Sequence, residues 1–204
     1  MRNNWRSTGG TPMGNVVVTE NATLDGVIEQ VDDWFSPAGG DADADNSDIV
    51  ATLREQMETQ GALLLGRKTF ESFRGYWPAQ TNDTTGITAH LNRVPKYVVS
   101  STLEEPGWEN TTILGGELTE EVRALRSRAN GEIGVTGSIT LVHGLIAAGL
   151  VDEYRLFVYP VVVGRGRRLF EDATNVPELK LIEAKSYRSG VVLLTYQPAE
   201  RRAQ

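Results

Sequence analysis

Short apolar runs alternate along this chain with stretches in which apolar residues recur every three or four positions. The runs have the length of buried strands, and the periodic stretches have the length of amphipathic helices. Regular alternation of strands and helices requires crossover connections, so it predicts a largely parallel sheet with helices on both faces. The predicted strands are 15–19, 62–65, 96–100, 111–114, 132–136 and 152–163, and the predicted helices are 47–60, 66–75, 118–129 and 137–148.

The end of the chain breaks this alternation. Residues 179–186 and 191–197 form two strand-like runs around Ser189 and Gly190, a pattern that predicts an antiparallel hairpin at one edge of the sheet. The predicted fold is therefore a single α/β domain over residues 15–198. Its sheet is mostly parallel and twisted, is flanked by helices, and carries a C-terminal antiparallel hairpin.

Polar segments without periodicity connect or flank these elements. Residues 21–46 and 78–93 are predicted to be loops. Residues 1–14 are rich in Asn, Arg, Gly, Ser and Thr, which predicts a disordered leader, and residues 199–204 form a polar tail.

The composition narrows the class of protein. The chain has 204 residues, of which 40% are apolar and 23% charged, values that are typical of one globular domain. Its formal net charge of −7 argues against a nucleic-acid-binding surface. The acids are unevenly placed, because nine of the 27 lie in residues 20–50, where no Lys or Arg occurs. The rest of the chain is close to neutral.

Missing residue types exclude several kinds of site. The chain has no cysteine, which excludes disulfides, thiolate zinc sites and cysteine nucleophiles. Its two histidines, His90 and His143, are too few for a three-histidine metal site, and we assign neither a role. No apolar stretch is long enough to span a membrane, and the N-terminus lacks the apolar core of a signal peptide. We therefore expect a cytoplasmic protein.

The first segment that could carry chemistry follows the predicted strand 62–65. Gly66 ends that strand, and Arg67, Lys68 and Thr69 stand where a helix begins. Helix N-termini bind anions, whereas cations in a first turn oppose the helix dipole. This combination favours a phosphate site. The alternative is a solvated basic turn.

Two further strand ends carry glycine or hydroxyl groups. Gly137, Ser138, Ile139 and Thr140 join a strand to a helix, with a simple helix cap as the alternative interpretation. Ser100 and the adjacent Ser101 follow a third strand. Ligands of open α/β sheets bind beyond the carboxyl ends of strands. The three segments together therefore predict phosphate contacts along one edge of one sheet.

Two other motifs are weaker. Residues 164–169 (GRGRRL) lack the third glycine and the following helix of a dinucleotide fingerprint, so they are either a flexible basic turn or a site for an anion. Residues 41–45 (DADAD) begin like a calcium loop, but Asn46 and Thr52 occupy the positions where an EF-hand needs Gly and Glu. A solvated acidic loop is the better interpretation.

These segments occur in the order found in a known family. The chain resembles the dihydrofolate-reductase-like superfamily, and it is most similar to the reductase domain of the bifunctional riboflavin-biosynthesis deaminase/reductase and its stand-alone relatives. Without cysteine, the zinc site of the deaminase half is excluded. The matching stretches are 16–27 with LDG at 24–26, 64–73 (LLGRKTFESF), 97–101 (YVVSS), 135–141 (VTGSITL) and 150–170 (LVDEYRLFVYPVVVGRGRRLF).

The resemblance implies an NADPH-dependent reductase that forms a homodimer. It implies that Gly66, Arg67, Lys68 and Thr69 contact cofactor phosphates, and that Ser100 and Ser101 lie near the adenosine 2′-phosphate. It implies that residues 137–140 hold the pyrophosphate. Hydrophobic hairpin residues at 179–182 and 191–194 could form the dimer interface or could be core.

The resemblance also implies a substrate side. Asp48 corresponds to the acid that binds the pteridine in a dihydrofolate reductase, although it could simply be an acid at a helix start. The implied substrate is a small heterocycle or a ribosyl-pyrimidine, and the acidic segment 20–50 would disfavour a bulky polyanion. The alternatives are a dihydrofolate reductase and a non-catalytic nucleotide-binding paralogue. The residues expected near the substrate are Leu24, Asp25, Gly26, Trp77, Gly164 and Arg165.

Overall fold

The computed structural model describes residues 14–32, 34–35, 45–171, 176 and 178–199. Residues 1–13 of the predicted leader, all of the tail except residue 199, and most of the 41–45 motif lie outside the described residues. Gly14, the last residue of the predicted leader, is instead buried and donates its N–H to the Arg126 carbonyl at 2.9 Å. The strands within them are β1 (Val16–Thr23), β2 (Gln60–Gly66), β3 (Lys96–Val99), β4 (Thr111–Leu114), β5 (Glu132–Thr136), β6 (Glu153–Tyr159), β7 (Leu179–Ser186) and β8 (Val192–Pro198). The helices are α1 (Ser47–Thr59), α2 (Arg67–Tyr76), α3 (Ile87–Arg93), α4 (Leu118–Arg128) and α5 (Ile139–Ala147).

The eight strands form one sheet in the order β4-β3-β2-β5-β1-β6-β8-β7. The first six strands in this order pair in parallel, whereas β8 is antiparallel to both β6 and β7. The predicted parallel sheet with a C-terminal hairpin is confirmed. Because β5 lies between β2 and β1, the carboxyl ends of β3, β2, β5, β1 and β6 follow one another along one edge.

Helices cover both faces of the sheet, as the alternation predicted. Leu64 of β2 belongs to a core cluster that includes residues of α4 and α5, whereas Leu63 and Leu65 belong to a second cluster with Phe70 of α2. A third cluster packs Ile49 of α1 against residues of β6 and β8. Successive strand residues point to opposite faces, so α1, α2 and α3 lie on one face and α4 and α5 on the other.

Three features differ from the predictions by more than two residues. Helix α3 forms inside the predicted loop 78–93, because Asp83 accepts backbone hydrogen bonds from Thr85 (2.7 Å) and Thr88 (2.8 Å) and so closes the turn that begins it. Strand β1 continues to Thr23 instead of ending at residue 19. Strand β6 ends at Tyr159, since the following residue is a proline, which has no N–H for the ladder.

Two features are absent from the part of the chain that the structure describes. No helix there is long and apolar enough to cross a membrane. No group of three or more metal-ligating side chains comes together there either.

Candidate functional site

The carboxyl ends of β2 and β5 lie side by side, and each leads into a helix. Gly66 ends β2 and α2 begins at the next residue, whereas Gly137 and Ser138 connect β5 to α5. Neither helix has a side-chain cap on its first turn. The free N–H groups and the positive dipole ends of two helices therefore face the same edge, which suits an anion.

Direct contacts lock the two helix starts together. The Gly66 N–H donates to Ser138 Oγ at 2.8 Å. Gly137 has φ +57, and a Cβ there would lie 3.1 Å from the Thr69 Cγ2 atom, closer than most such contacts. Ser138 adopts the left-handed conformation at φ 59, which costs strain in a non-glycine residue. The alternative of a simple serine cap is wrong, because the Ser138 hydroxyl accepts a hydrogen bond from Gly66 at the end of β2 and none from the first turn of α5.

The cations at the start of α2 are on the surface. The Arg67 side chain is 42% exposed and pairs with Glu71 one turn later, at 3.2 Å. Within the described residues, Lys68 makes no ion pair and is exposed. The first turn of α2 contains no acid. Positive charge therefore remains available beside the paired helix starts.

The third strand end extends the same edge, because β3 is the neighbour of β2 on the side away from β5. Ser100 Oγ accepts N–H groups from Thr102 (3.1 Å) and Leu103 (3.0 Å), and its own hydroxyl proton stays available as a donor. Ser101 is exposed. The structure thus brings the three predicted segments together as consecutive strand ends.

The end of β1 is occupied by a turn centred on Asp25. Its carboxylate accepts hydrogen bonds from Thr23 Oγ1 (2.6 Å), Gly164 N (2.8 Å) and Val163 N (3.3 Å). These bonds, above all that from Thr23, lower the pKa of Asp25 to about 2. Asp25 therefore holds β1 against the loop after β6, and it stays ionised at neutral pH.

The predicted basic turn pairs with the acidic segment. Arg165 pairs with Asp32, and Arg167 pairs with Glu29 at 3.0 Å. Arg168 lies 3.7 Å from a carboxylate oxygen of Asp25. The expectation that segment 20–50 presents unbalanced negative charge is corrected here, because three of its acids meet arginines from a distant loop.

Asp48 lies in the first turn of α1. One of its oxygens accepts the Arg188 backbone N–H at 3.0 Å and the other accepts the Ile49 N–H at 3.0 Å. The Arg188 backbone bond is the main reason that the pKa of Asp48 lies below its usual value. The carboxylate is therefore an acceptor near neutral pH and cannot supply a proton.

The remaining substrate-side predictions have different outcomes. Leu24 (63% exposed) and Gly26 line a mostly apolar cavity of about 350 Å³ with Leu156 and Phe170, at the ends of β1 and β6. Trp77 is only 8% exposed and packs in the core cluster of α2 and α3. It directly follows the last residue of α2, ten residues from the helix start at the carboxyl edge, and its assignment to the substrate side stays a prediction.

The sequence interpretation missed Glu20. This residue is 4% exposed, and in the parallel pairing of β1 with β5 it lies one residue beyond the Thr19–Thr136 pair, level with Gly137. Its position in an apolar strand was the available signal, since it continues the inward-facing alternation of Val16 and Val18.

Two uncapped helix starts at adjacent strand ends of an α/β sheet are an arrangement that suits a phosphate-bearing ligand, and ligands of open α/β sheets bind at this edge. The model of the RibD C-terminal domain matches residues 15–193. The chain belongs to this family, whose reductase-like members indicate an oxidoreductase related to riboflavin biosynthesis.

Individual proteins are similar to this chain in sequence or in fold. The uncharacterized protein YyaP of Bacillus subtilis (strain 168) is 31% identical over 184 residues, which cover 89% of this chain and 93% of that protein. A pyrimidine reductase-like protein from Corynebacterium diphtheriae superposes with a TM-score of 0.62 at 15% identity, covering 92% of each chain. A Thermotoga maritima diaminohydroxyphosphoribosylaminopyrimidine deaminase/5-amino-6-(5-phosphoribosylamino)uracil reductase gives a TM-score of 0.60 at 15% identity, over 92% of this chain and 57% of that one.

Proposed function

We propose that the protein is an NADPH-dependent reductase of the riboflavin-biosynthesis type, which transfers hydride to a small heterocyclic or ribosyl-pyrimidine substrate. The observation that carries the proposal is the pair of uncapped helix starts, joined by the Gly66–Ser138 hydrogen bond, at adjacent strand ends. Bound NADPH supplies the hydride. We assign this activity to the cytoplasm.

The cofactor would lie along the carboxyl edge. Residues 137–140 would hold the pyrophosphate through backbone N–H groups at the start of α5. Arg67, Lys68 and Thr69, with Ser100 and Ser101, would bind the other phosphates. Exposed cations at this position favour NADPH over NADH, because the 2′-phosphate adds negative charge that attracts them.

The substrate would lie beside the ends of β1 and β6, near Leu24, Gly26, Gly164 and Arg165. Asp48 would accept a hydrogen bond from a substrate N–H, since its carboxylate is ionised and cannot act as the acid. Orientation and exclusion of water would then contribute more to the rate than proton donation by this residue.

A non-catalytic nucleotide-binding protein is the second candidate. The observation that favours it is that Asp25, Asp48 and Arg165 are all engaged in contacts within the protein. Cofactor binding without reduction of any pyrimidine or pterin substrate would support it. Inhibition by antifolates would instead identify a dihydrofolate reductase.

The proposal includes a homodimer. Leu181 and Ile182 of the edge strand β7 are 49% and 47% exposed, so the hairpin presents apolar surface that a second copy could cover. The molar mass measured by light scattering tests this part: a mass near 45 kDa is expected, twice that of the 22.4 kDa chain. A mass near that of one chain would contradict it.

Titration with NADPH and NADH, followed by fluorescence, tests the cofactor assignment. The double variant Arg67→Ala/Lys68→Ala should weaken NADPH binding by about tenfold or more, because each charge-assisted contact contributes roughly 1.5–3 kcal/mol. NADH binding should change much less. Arg123→Ala on α4 is the control, since this residue is exposed and pairs with Glu120 one turn earlier on the same helix. Equal losses for both cofactors would refute the role in binding the 2′-phosphate.

A further inference from the structure

Glu20 is an acid on the inward face of a central strand. In β1 it lies on the same face of the sheet as Val16, Val18 and Ala22, which all belong to the core cluster beneath α4 and α5. The register pairs Thr19 with Thr136 of β5, so Glu20 lies level with Gly137, where the chain turns into α5. Its carboxyl group is therefore buried at the base of the α5 start, the segment proposed to hold the pyrophosphate.

The contacts of this carboxyl group are incomplete. The Gly137 N–H favours the ionised form of this group less than burial disfavours it, whereas Oε1 has no partner in the part of the chain that the structure describes. Burial is the main influence on Glu20 and raises its pKa well above the usual value. A neutral carboxylic acid fits this environment, because an ionised one would lack the partners that a buried charge needs.

Among the described residues, no neighbouring charge stabilises the ionised form of Glu20. Three titratable or charged side chains lie on the elements that surround Glu20, and each has another partner or remains neutral. His143 bonds to the Arg168 carbonyl at 2.8 Å, Arg168 lies against Asp25, and Tyr154 is a buried phenol whose pKa is raised to about 12. None of them contributes to the pKa shift of Glu20.

We propose that Glu20 is a positioning residue for the cofactor site, which holds the Gly137 turn while it is neutral and weakens binding of the anionic cofactor when it ionises. This inference rests on the proposed NADPH site. The geometric basis is that Gly137 connects the buried carboxyl to the start of α5. Ionisation would place a negative charge beneath the phosphates and would draw the Gly137 N–H toward Glu20.

Linkage gives the direction of the effect. If bound cofactor favours neutral Glu20, affinity is constant below the pKa of Glu20 and falls as pH rises through it, by at most tenfold per pH unit. The cofactor phosphates also titrate, but they do so with every variant of the protein. The difference between the wild type and an uncharged isostere therefore isolates Glu20.

The experiment measures NADPH dissociation constants from pH 6 to pH 9.5 for the wild type, Glu20→Gln and Glu20→Leu. Glutamine keeps an acceptor for the Gly137 N–H, so it should match the wild type at the acidic end and bind at least tenfold more tightly at the alkaline end. Leucine removes the acceptor and should weaken binding at every pH. Parallel pH profiles for the wild type and Glu20→Gln would overturn the proposal.

A second probe separates this proposal from the proposed function. Inorganic pyrophosphate is titrated against the same three proteins, because it needs only the α5 start. If NADPH fails to bind but pyrophosphate shows the predicted difference between the wild type and Glu20→Gln, the cofactor assignment fails and the role of Glu20 stands. If neither probe binds to any of the three proteins, both proposals are refuted.

Discussion

Replacing Ser138 with alanine tests whether one hydrogen bond holds the two helix starts together. The side chain accepts the Gly66 N–H at 2.8 Å in a partly buried position. Loss of a typical hydrogen bond costs about 0.5–1.5 kcal/mol, and leaving the buried N–H without a partner brings the loss toward 1–3 kcal/mol. Because the site is only partly buried, we expect Ser138→Ala to lower the free energy of unfolding by about 1–2 kcal/mol.

The backbone conformation provides a matched control. Ser138 has φ 59, a region that costs a non-glycine residue about 1–2 kcal/mol. Ser138→Gly loses the same hydrogen bond but relieves this strain, so it should be more stable than Ser138→Ala by up to about 1 kcal/mol once the extra entropy of glycine in the unfolded chain is included.

Thermal unfolding followed by circular dichroism measures both variants. For a domain of this size, about 1 kcal/mol corresponds to 2–4 °C in Tm, so Ser138→Ala should melt roughly 2–8 °C below the wild type. NADPH affinity should fall in the same variant, because the start of α5 is no longer tied to β2. An unchanged Tm for Ser138→Ala would refute the locking role. A glycine variant less stable than the alanine variant would refute the argument from strain.

Two further predictions concern ionisable groups. Asp25→Asn should lower Tm at pH 7, because the pKa of Asp25 in the folded state is lowered to about 2; the difference from the wild type should vanish as pH falls from about 4 to about 2. A constant difference would contradict this. Lys96 is fully buried, and burial lowers its pKa to about 8. Relative to Lys96→Met, the wild type should therefore gain up to about 3 kcal/mol in unfolding free energy between pH 8 and pH 10.5, measured by urea unfolding. No gain would show that the amine is as well solvated as in water.

The charge distribution illustrates how a local pattern can mislead. From sequence, the acids of residues 20–50 suggest a negative surface, and the arginines at 165–168 suggest an anion site. In the folded chain, Asp32 meets Arg165 and Glu29 meets Arg167 across more than 130 residues of sequence. Each of these four groups then neutralises its partner, so in the described residues less charge is free than the composition of either segment indicates.

The sequence by itself determined the alternation of strands and helices, the terminal hairpin and the three strand ends where glycine or serine residues stand. These follow from local periodicity and backbone requirements, which neighbouring residues specify. Helix α3 was missed because its short length leaves little periodic pattern, and its start depends on the side chain of Asp83.

Only the tertiary structure decided which of these pieces meet. The placement of β5 between β2 and β1 brings Ser138 to Gly66 across 72 residues, and it puts Gly137 beside Glu20. Strand order depends on packing the whole core, and the partner of a buried or charged side chain is chosen by contacts between residues far apart in sequence. The chemistry of the candidate site therefore depends on non-local pairing of segments whose individual character the sequence already reveals.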